Sequence, residues 1–338
     1  MAAMVLGVWL VARSPARDDA EPPSDRTAAV TDGHGSDDRT AFGVLLSWRQ
    51  FGLDTRLRLA QELGVDNVRS RPVLVPSWDG TCEECPAIRD AGMQLVLTIR
   101  NSASAEASAT AASDIGAYQS SVGRILDAYR PVLAVVENEE DTQKFFSGTA
   151  TEYAAQLSAV CVEAHQRGIK CANGGLLSGS VAYLVYEHYL DAGETERARS
   201  FGARAFEGFQ TERLSTESGR ASVRQQVERL EDFIATYASS GADYLNFHWY
   251  IPDADALAES VRYLEELSGL PAITNEIGQR DDDADTTRAL LEQVRDLGLP
   301  YAIWFSSDAR LARALVDPDG GLRSTGVAFR DVMAEDAG

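Results

Sequence analysis

Lysine is nearly missing from this chain. Of its 31 Lys and Arg residues only Lys144 and Lys170 are lysines, so a mechanism that needs a lysine amine has two side chains to draw on. Positive charge is short altogether: 52 Asp and Glu leave a formal net charge of −21. Proteins that grip nucleic acid concentrate cations opposite the phosphates, and that class of partner is thereby excluded. Apolar runs are short. The run at the N-terminus, Ala2–Ala12, has 11 residues, against the roughly 20 that a spanning helix requires, which excludes a multi-span membrane protein. Cysteine is sparse, with four in 338 residues. Cys82 and Cys85 form C-E-E-C, but Cys161 and Cys171 have nine residues between them, too many for the second close pair of a structural zinc site. No thioredoxin-like context surrounds C-E-E-C, so disulfides or buried thiols are the expectation.

What is present is globular material: 44% apolar and 25% charged residues in a 338-residue chain supply a full core. The N-terminal run has the length of a signal-peptide core, about 7–15 residues, and Ser14-Pro15-Ala16 offers small residues for cleavage. No Lys or Arg precedes it, so a weak membrane anchor is the alternative. Residues 1–16 are expected to be an export signal or anchor, which implies a secreted or cell-envelope protein. Residues 17–40, rich in Asp, Pro, Ser and Gly, cannot bury enough surface to order themselves and read as an acidic linker. Residues 41–338 are expected to form one catalytic domain.

That domain repeats one unit. Short apolar runs at Gly43–Ser47, Val65–Arg71, Met93–Ile99, Val132–Val136, Ile169–Asn173, Asp243–His248, Pro271–Asn275 and Pro300–Phe305 alternate with amphipathic stretches. Continuous apolar strands suit a parallel sheet buried on both faces. Asp54 with Gly64, Thr151 with Gly168, Asp253 with Gly269, and Asp285 with Gly298 bracket helices in the manner of caps. Strand and helix in eight alternations predict an α/β fold of the (β/α)₈ TIM-barrel type. The longest connection, between the fifth and sixth strands, is expected to hold at least two helices, around Val181–Leu190 and Ser222–Tyr237, and to stand as a lid or wall beside the site.

In this fold the loops leaving the carboxyl ends of the strands build the site. The fourth strand ends in Glu137, Asn138, Glu139, Glu140 and Asp141; the sixth in His248, Trp249 and Tyr250; the seventh in Glu276; the eighth in Trp304 and, beyond it, Asp308. Trp48 follows the first, Arg69 and Arg71 lie on the second, Arg100 and Asn101 end the third, and Asn173 ends the fifth. Carboxylates on strands four and seven face each other across a barrel mouth. A pair about 5–5.5 Å apart suits retaining glycoside hydrolysis, one carboxyl protonating the leaving oxygen and the other attacking the anomeric carbon. Asn138 is placed to bond a sugar 2-hydroxyl, Tyr250 to orient the nucleophile, and His248 to bond a hydroxyl or the acid. Trp48, Trp78, Trp249 and Trp304 all fall at or just after strand ends, where aromatic rings stack on the apolar faces of sugars.

On Asn138-Glu139, His248-Trp249-Tyr250, Glu276, Trp304 and Arg69, the chain from about Ala41 to Ala334 resembles the clan A retaining glycoside hydrolases, the (β/α)₈ group of β-xylosidases, β-mannanases and endoglucanases. The resemblance implies Glu139 as acid/base and Glu276 as nucleophile, acting on an oligo- or polysaccharide; chemistry that needs only two carboxyl groups and water calls for no cofactor or metal. It departs from the group in one place, where the usual Asn-Glu-Pro reads Asn-Glu-Glu with Glu140. Plainer roles stand beside these. Glu137, Glu140 and Asp141 read as a solvated run or cap, Asp281–Asp283 and Asp285 as helix-capping acids, and Asn173-Gly174-Gly175 as a turn with Asn173 a possible ligand. Two other functions are open to such a chain: a catalytically silent carbohydrate-binding barrel, and an aldolase or lyase working through a Schiff base on Lys170.

Overall fold

Each apolar run becomes a strand because each is flanked by a helix that covers one of its faces. The computed structural model describes residues 39–45, 50–306, 309–311 and 314–336. Its strands are β1 (Ala41–Leu45), β2 (Asn67–Arg69), β3 (Val73–Leu74), β4 (Gln94–Arg100), β5 (Leu133–Val136), β6 (Lys170–Asn173), β7 (Leu245–Trp249), β8 (Ala272–Ile277) and β9 (Tyr301–Trp304). Eight of them follow in the parallel order β6-β5-β4-β2-β1-β9-β8-β7, while β3 is a two-residue addition on β4. The ends of that order meet through parallel bridges Ala172–Tyr244 and Leu176–Phe247, so the (β/α)₈ barrel is nearly closed. The expected leader, most of the linker, Trp48 and Asp308 lie outside the described residues.

Side chains alternate between two cores. Val96, Leu133, Val135, Ala172, Ile273 and Ile303 pack along the barrel axis. Their neighbours Leu95, Leu97, Ala134, Val136, Phe247 and Trp304 face the helix layer. This double burial explains why the strands read as unbroken apolar runs.

The helices are α1 (Leu53–Glu62), α2 (Glu84–Asp90), α3 (Ile115–Tyr129), α4 (Ala150–His165), α5 (Ser178–Asp191), α6 (Thr195–Ala205), α7 (Gly208–Ser215), α8 (Glu217–Tyr237), α9 (Ala254–Ser268), α10 (Ala284–Asp296) and α11 (Ser324–Asp336). Asp253 caps α9 by accepting from Ala256 N–H, and Gly269 ends that helix in the left-handed region, at φ 68°. Three starts differ from expectation. Asp54 lies inside the first turn of α1 and caps nothing, a position where a negative charge still meets the helix dipole favourably. Thr149 and Glu152 form a capping box at α4, and Asp283 rather than Asp285 caps α10. The connection after β6 holds four helices, because the Arg- and Glu-rich stretch between the two expected ones is itself helical as α6 and α7. Among the described residues, no helix is long and apolar enough to cross a membrane.

The cysteines form two disulfides. Cys161–Cys171 ties α4 to β6, and Cys82–Cys85 closes the loop entering α2.

The seam between β6 and β7 lacks a regular ladder, and a side chain stands in for one. Asn173 Nδ2 donates to Asn246 O (2.9 Å) and Asn173 Oδ1 accepts from Asn246 N (2.6 Å), as a neighbouring peptide would. Asn246 Nδ2 donates back to Asn173 O (3.0 Å). Both residues are fully buried. Asn173→Ala leaves the Asn246 N–H unpaired away from water and takes a donor from Glu140, while the Asn246 C=O keeps Leu176 N (3.1 Å); it is expected to cost about 2–4 kcal/mol. Urea unfolding checks this: a lower midpoint at unchanged slope is expected, and a loss below about 0.5 kcal/mol would remove the seam role.

Candidate active site

Strict alternation along β8 would point Glu276 at the helices, since Ile273 faces the axis. The pairing shows why it does not. Asn246 pairs with Ile273 but His248 with Glu276, and Thr274 pairs with Ala302 but Ile277 with Trp304. Thus β8 carries one extra residue against both neighbours, a bulge that re-aims the residues beyond it. Glu276 consequently shares the side of His248 and faces the mouth, while Ile277 joins the outer core.

There Glu276 meets three partners. Arg69 Nη1 donates to Glu276 Oε1 (2.7 Å) and to the Asn275 carbonyl (3.0 Å), and its Nε donates to Thr98 Oγ1 (3.1 Å). Tyr250 OH donates to Glu276 Oε2 (2.8 Å). His248 Nδ1 lies 3.5 Å from Glu276 Oε2. Burial alone would raise this carboxyl, but the charges of His248 and Arg69 and the Tyr250 hydroxyl outweigh it and hold it below its ordinary value. Glu276 is an ionised carboxylate in a fixed pose.

Glu139 arrives from the loop after β5. Its backbone sits at φ 42° and that of Glu137 at φ 70°, a left-handed region that glutamate seldom adopts and that strong surrounding contacts must enforce. Glu139 Oε1 is 3.0 Å from His248 Nδ1. One carboxylate oxygen each of Glu139 and Glu276, and a ring nitrogen of His248, all lie within 4.8 Å of one another. His248 Nε2 faces Asn275 Oδ1 (3.1 Å), which also accepts from Asn246 Nδ2 (2.8 Å), so the histidine donates there. Burial disfavours the imidazolium, yet Glu276 and then Glu139 prevail, and the His248 pKa is raised. The trio has the spacing of a divalent-cation site, but Arg69 already sets a positive charge on Glu276.

The other acids of this loop are not solvated, which corrects the expectation for Glu137, Glu140 and Asp141. All three are buried. Glu137 Oε1 accepts from Asn101 N (2.6 Å) and Gln156 Nε2 (2.5 Å), beside Arg100. Glu140 Oε1 accepts from Asn173 Nδ2 (2.8 Å) and Tyr237 OH (2.7 Å). Asp141 Oδ1 accepts from Leu177 N just ahead of α5 (3.1 Å). Burial pushes Glu137 and Glu140 up to about 7 and Asp141 up to about 6. Lys144, on the same loop, is exposed, its Nζ 4.6 Å from the centre of the Phe145 ring.

A cavity of about 1030 Å³ opens beside Glu276 and Asn138, running past Arg69, Arg71, Trp78, Glu84 and Arg100. Its wall comes chiefly from the loops after β2, β3 and β4. None of its lining residues belongs to α5–α8, so the elaboration is not a lid. It is a buttress: Arg229 of α8 donates to the carbonyls of Asp141 (2.8 Å), Phe146 (3.3 Å) and Gly148 (3.1 Å) behind the Glu139 loop.

Several expected ligands lie elsewhere. Trp249 and Trp304 are fully buried in the outer core, Trp249 against Phe247 and Trp304 against Phe329 of α11. They neighbour the inward-facing His248 and Ile303, and alternation turns them away from the mouth. Asn173 is fully buried, with one amide hydrogen and its oxygen engaged in the seam and the other amide hydrogen on Glu140, so it is not offered to a ligand. Lys170 is exposed at the amino end of β6, paired with Asp243 (2.9 Å), which removes the Schiff-base reading. Arg69, Asn138, His248, Tyr250, Glu139 and Glu276 are brought together as expected. Asn246 and Asn275 were not foreseen; the signal available was an Asn in each of two otherwise apolar barrel strands.

Neither a family model nor a curated protein sequence matches the chain. Its fold is similar to that of a GH128 subgroup I endo-β-1,3-glucanase from Amycolatopsis mediterranei solved with laminaritriose and laminaribiose (TM-score 0.52, 13% identity, covering 87% of this chain and 98% of that one). It is similar as well to a GH128 subgroup II endo-β-1,3-glucanase from Pseudomonas viridiflava (0.51, 17%, 86% and 96%). A third likeness is to a hyperthermostable endo-1,4-β-D-mannanase from Thermotoga petrophila RKU-1 (0.51, 12%, 88% and 99%). At these identities the likeness is one of fold.

The buried acids make stability depend on pH. A carboxyl whose pKa is higher folded than unfolded binds its proton more tightly in the native state, so its stabilising contribution is full at low pH and is lost as pH rises through the folded value. For Glu137, Glu140 and Asp141 that window runs from about 4 to about 7. The raised His248 acts in the same direction, whereas the lowered Glu276 matters only in more acidic solution. Thermal unfolding is expected at a temperature higher by roughly 5 °C at pH 5 than at pH 8; an unfolding temperature that is flat or rising over this range would contradict the assignment.

Proposed function

We propose that the chain is a retaining β-glycosidase acting on an oligo- or polysaccharide, with Glu276 as nucleophile and Glu139 as acid/base. The observation that carries this is the approach of the two carboxyl groups to within 4.8 Å at the carboxyl end of the barrel, close to the about 5–5.5 Å of the double-displacement geometry. The cavity, about 1030 Å³, is lined by Glu276 and Asn138 and has room for more than one sugar unit. The β-glucanases and the mannanase that share the fold act on such chains, which supports the substrate class.

The chemistry follows from the partners. His248, Arg69 and Tyr250 hold the Glu276 pKa down, and the bonds from Arg69 and Tyr250 leave it one pose, so it meets the anomeric carbon without reorganising. Glu139 gives its proton to the glycosidic oxygen as that bond breaks and the Glu276 ester forms. Glu139, now a carboxylate, takes a proton from water, which attacks the anomeric carbon and frees Glu276. His248 lies between the two carboxyls, its Nδ1 3.0 Å from Glu139 Oε1 and 3.5 Å from Glu276 Oε2, so that when protonated it offsets the charge Glu139 acquires on giving up its proton. Asn138, on the cavity wall next to Glu139, is positioned for a sugar hydroxyl. Two disulfides suit an oxidising compartment, and with the apolar N-terminal run they support export to the medium or cell envelope.

Glu276→Ala is expected to lower kcat by at least about 10³-fold, while Glu139→Ala should keep its first step on an activated aryl β-glycoside and be rescued by azide with formation of a glycosyl azide. Assays on aryl β-glucosides, aryl β-mannosides, laminarin and mannan check this. A wild-type protein that binds these sugars without cleaving them would be the silent barrel instead. In the same assays Trp78→Ala should raise KM several-fold, whereas Trp304→Phe should leave kcat/KM within about twofold and cost about 1–2 kcal/mol of stability. The reverse pattern would return Trp304 to the site.

A further inference from the structure

Glu140 lies one residue from Glu139 but outside the cavity, fully buried. A carboxyl taken out of water costs several kcal/mol unless donors meet it, so its retention calls for a reason. Its Oε1 accepts from two elements at once: Asn173 Nδ2 at the end of β6 (2.8 Å) and Tyr237 OH at the end of α8 (2.7 Å). Behind it, a Cβ on Gly174 would come within 2.6 Å of Oε2, so the carboxyl fills its pocket.

These contacts form part of a closed ring. From Glu140 the path runs to Asn173, whose Oδ1 accepts from Asn246 N (2.6 Å). Asn246 Nδ2 donates to Asn275 Oδ1 (2.8 Å), which also accepts from His248 Nε2 (3.1 Å). His248 Nδ1 meets Glu139 Oε1 (3.0 Å), and one peptide link returns to Glu140. The ring encloses the strained stretch, with Glu139 at φ 42°. Gly175 admits it: at φ 102°, a Cβ there would stand 2.2 Å from His248 Nε2. Strain of this kind persists only where neighbours over-determine it, and the Glu140 carboxylate is the tie next to Glu139.

We propose that Glu140 is a positioning residue for the reaction, its carboxylate pinning the β5–α4 loop to Asn173 and Tyr237 so that the Glu139 carboxyl is held toward His248 and Glu276. The proposal rests on the reading of Glu139 as acid/base. Both partners donate, so the position needs an acceptor rather than a charge, and glutamine supplies one. Leucine of similar size does not, and leaves two buried donors unpaired.

The test uses leaving-group dependence, which a purely structural role would not move. On the sugar that wild type cleaves, kcat/KM is measured for a phenyl glycoside, whose departure needs the acid, and for a dinitrophenyl glycoside, whose departure does not. Glu140→Leu should lose about 10²-fold on the first and less than about threefold on the second. Glu140→Gln should stay within about threefold of wild type on both. Tyr237→Phe removes one donor without changing shape, serves if Glu140→Leu does not fold, and should show a smaller loss confined to the phenyl substrate. Equal losses on both substrates, or none in Glu140→Leu and Tyr237→Phe, overturn the positioning role alone. A wild type that cleaves neither glycoside overturns the glycosidase reading and this proposal with it.

Discussion

The site depends on one extra residue in β8. In a parallel barrel with period-two strands, an axis-facing Ile273 commits Asn275 and Ile277 to the axis and Glu276 to the helices. The bulge cancels that commitment within one step. It also loosens the local ladder, and the side chains of Asn246 and Asn275 take up the backbone and side-chain groups it leaves, Asn246 Oδ1 accepting from Asn275 N at 2.9 Å. Arg69, Tyr250 and His248 then have a carboxylate to meet. Without the shift the residue level with His248 would be Asn275, and their three polar groups would have no carboxylate to meet.

The same alternation divides what was legible in the sequence from what was not. Eight apolar runs, spaced by capped helices, gave away the barrel, because double burial demands such runs. Glu139 and Glu276 stood out as acids where apolar strands end. Trp249 and Trp304 stood at equally suggestive positions, yet they sit on the outward phase. An unbroken apolar strand conceals its phase, since inward and outward residues look alike, and the phase at His248 or Ile303 emerges only from the packing. The bulge was hidden for the same reason.

Glu137, Glu140 and Asp141 show a different limit. A run of acids in a chain with a net charge of −21 reads as surface. Burial of such a run needs donors from distant segments, here Asn101, Gln156, Asn173, Tyr237 and Leu177, and no local pattern announces them. The scarcity of lysine has a counterpart in this interior. Arg229 distributes its donors over several carbonyls, and Arg69 spans Glu276, the Asn275 carbonyl and Thr98. A guanidinium fork serves several acceptors at fixed angles, which an ammonium on a flexible stem does less well.

Lys144 carries a practical consequence. With Lys170 tied to Asp243 at the opposite end of the barrel, the exposed Lys144 amine stands on the rim that carries Glu139. Reagents that attach proteins to beads or dyes through amines would, apart from the α-amino group, have this rim and the exposed Lys170 at the other end to choose from, so part of the molecules would be fastened on the side that carries Glu139. Coupling through the exposed carboxyl groups among its 52 Asp and Glu would spread the anchors over the surface and leave the opening facing outward more often.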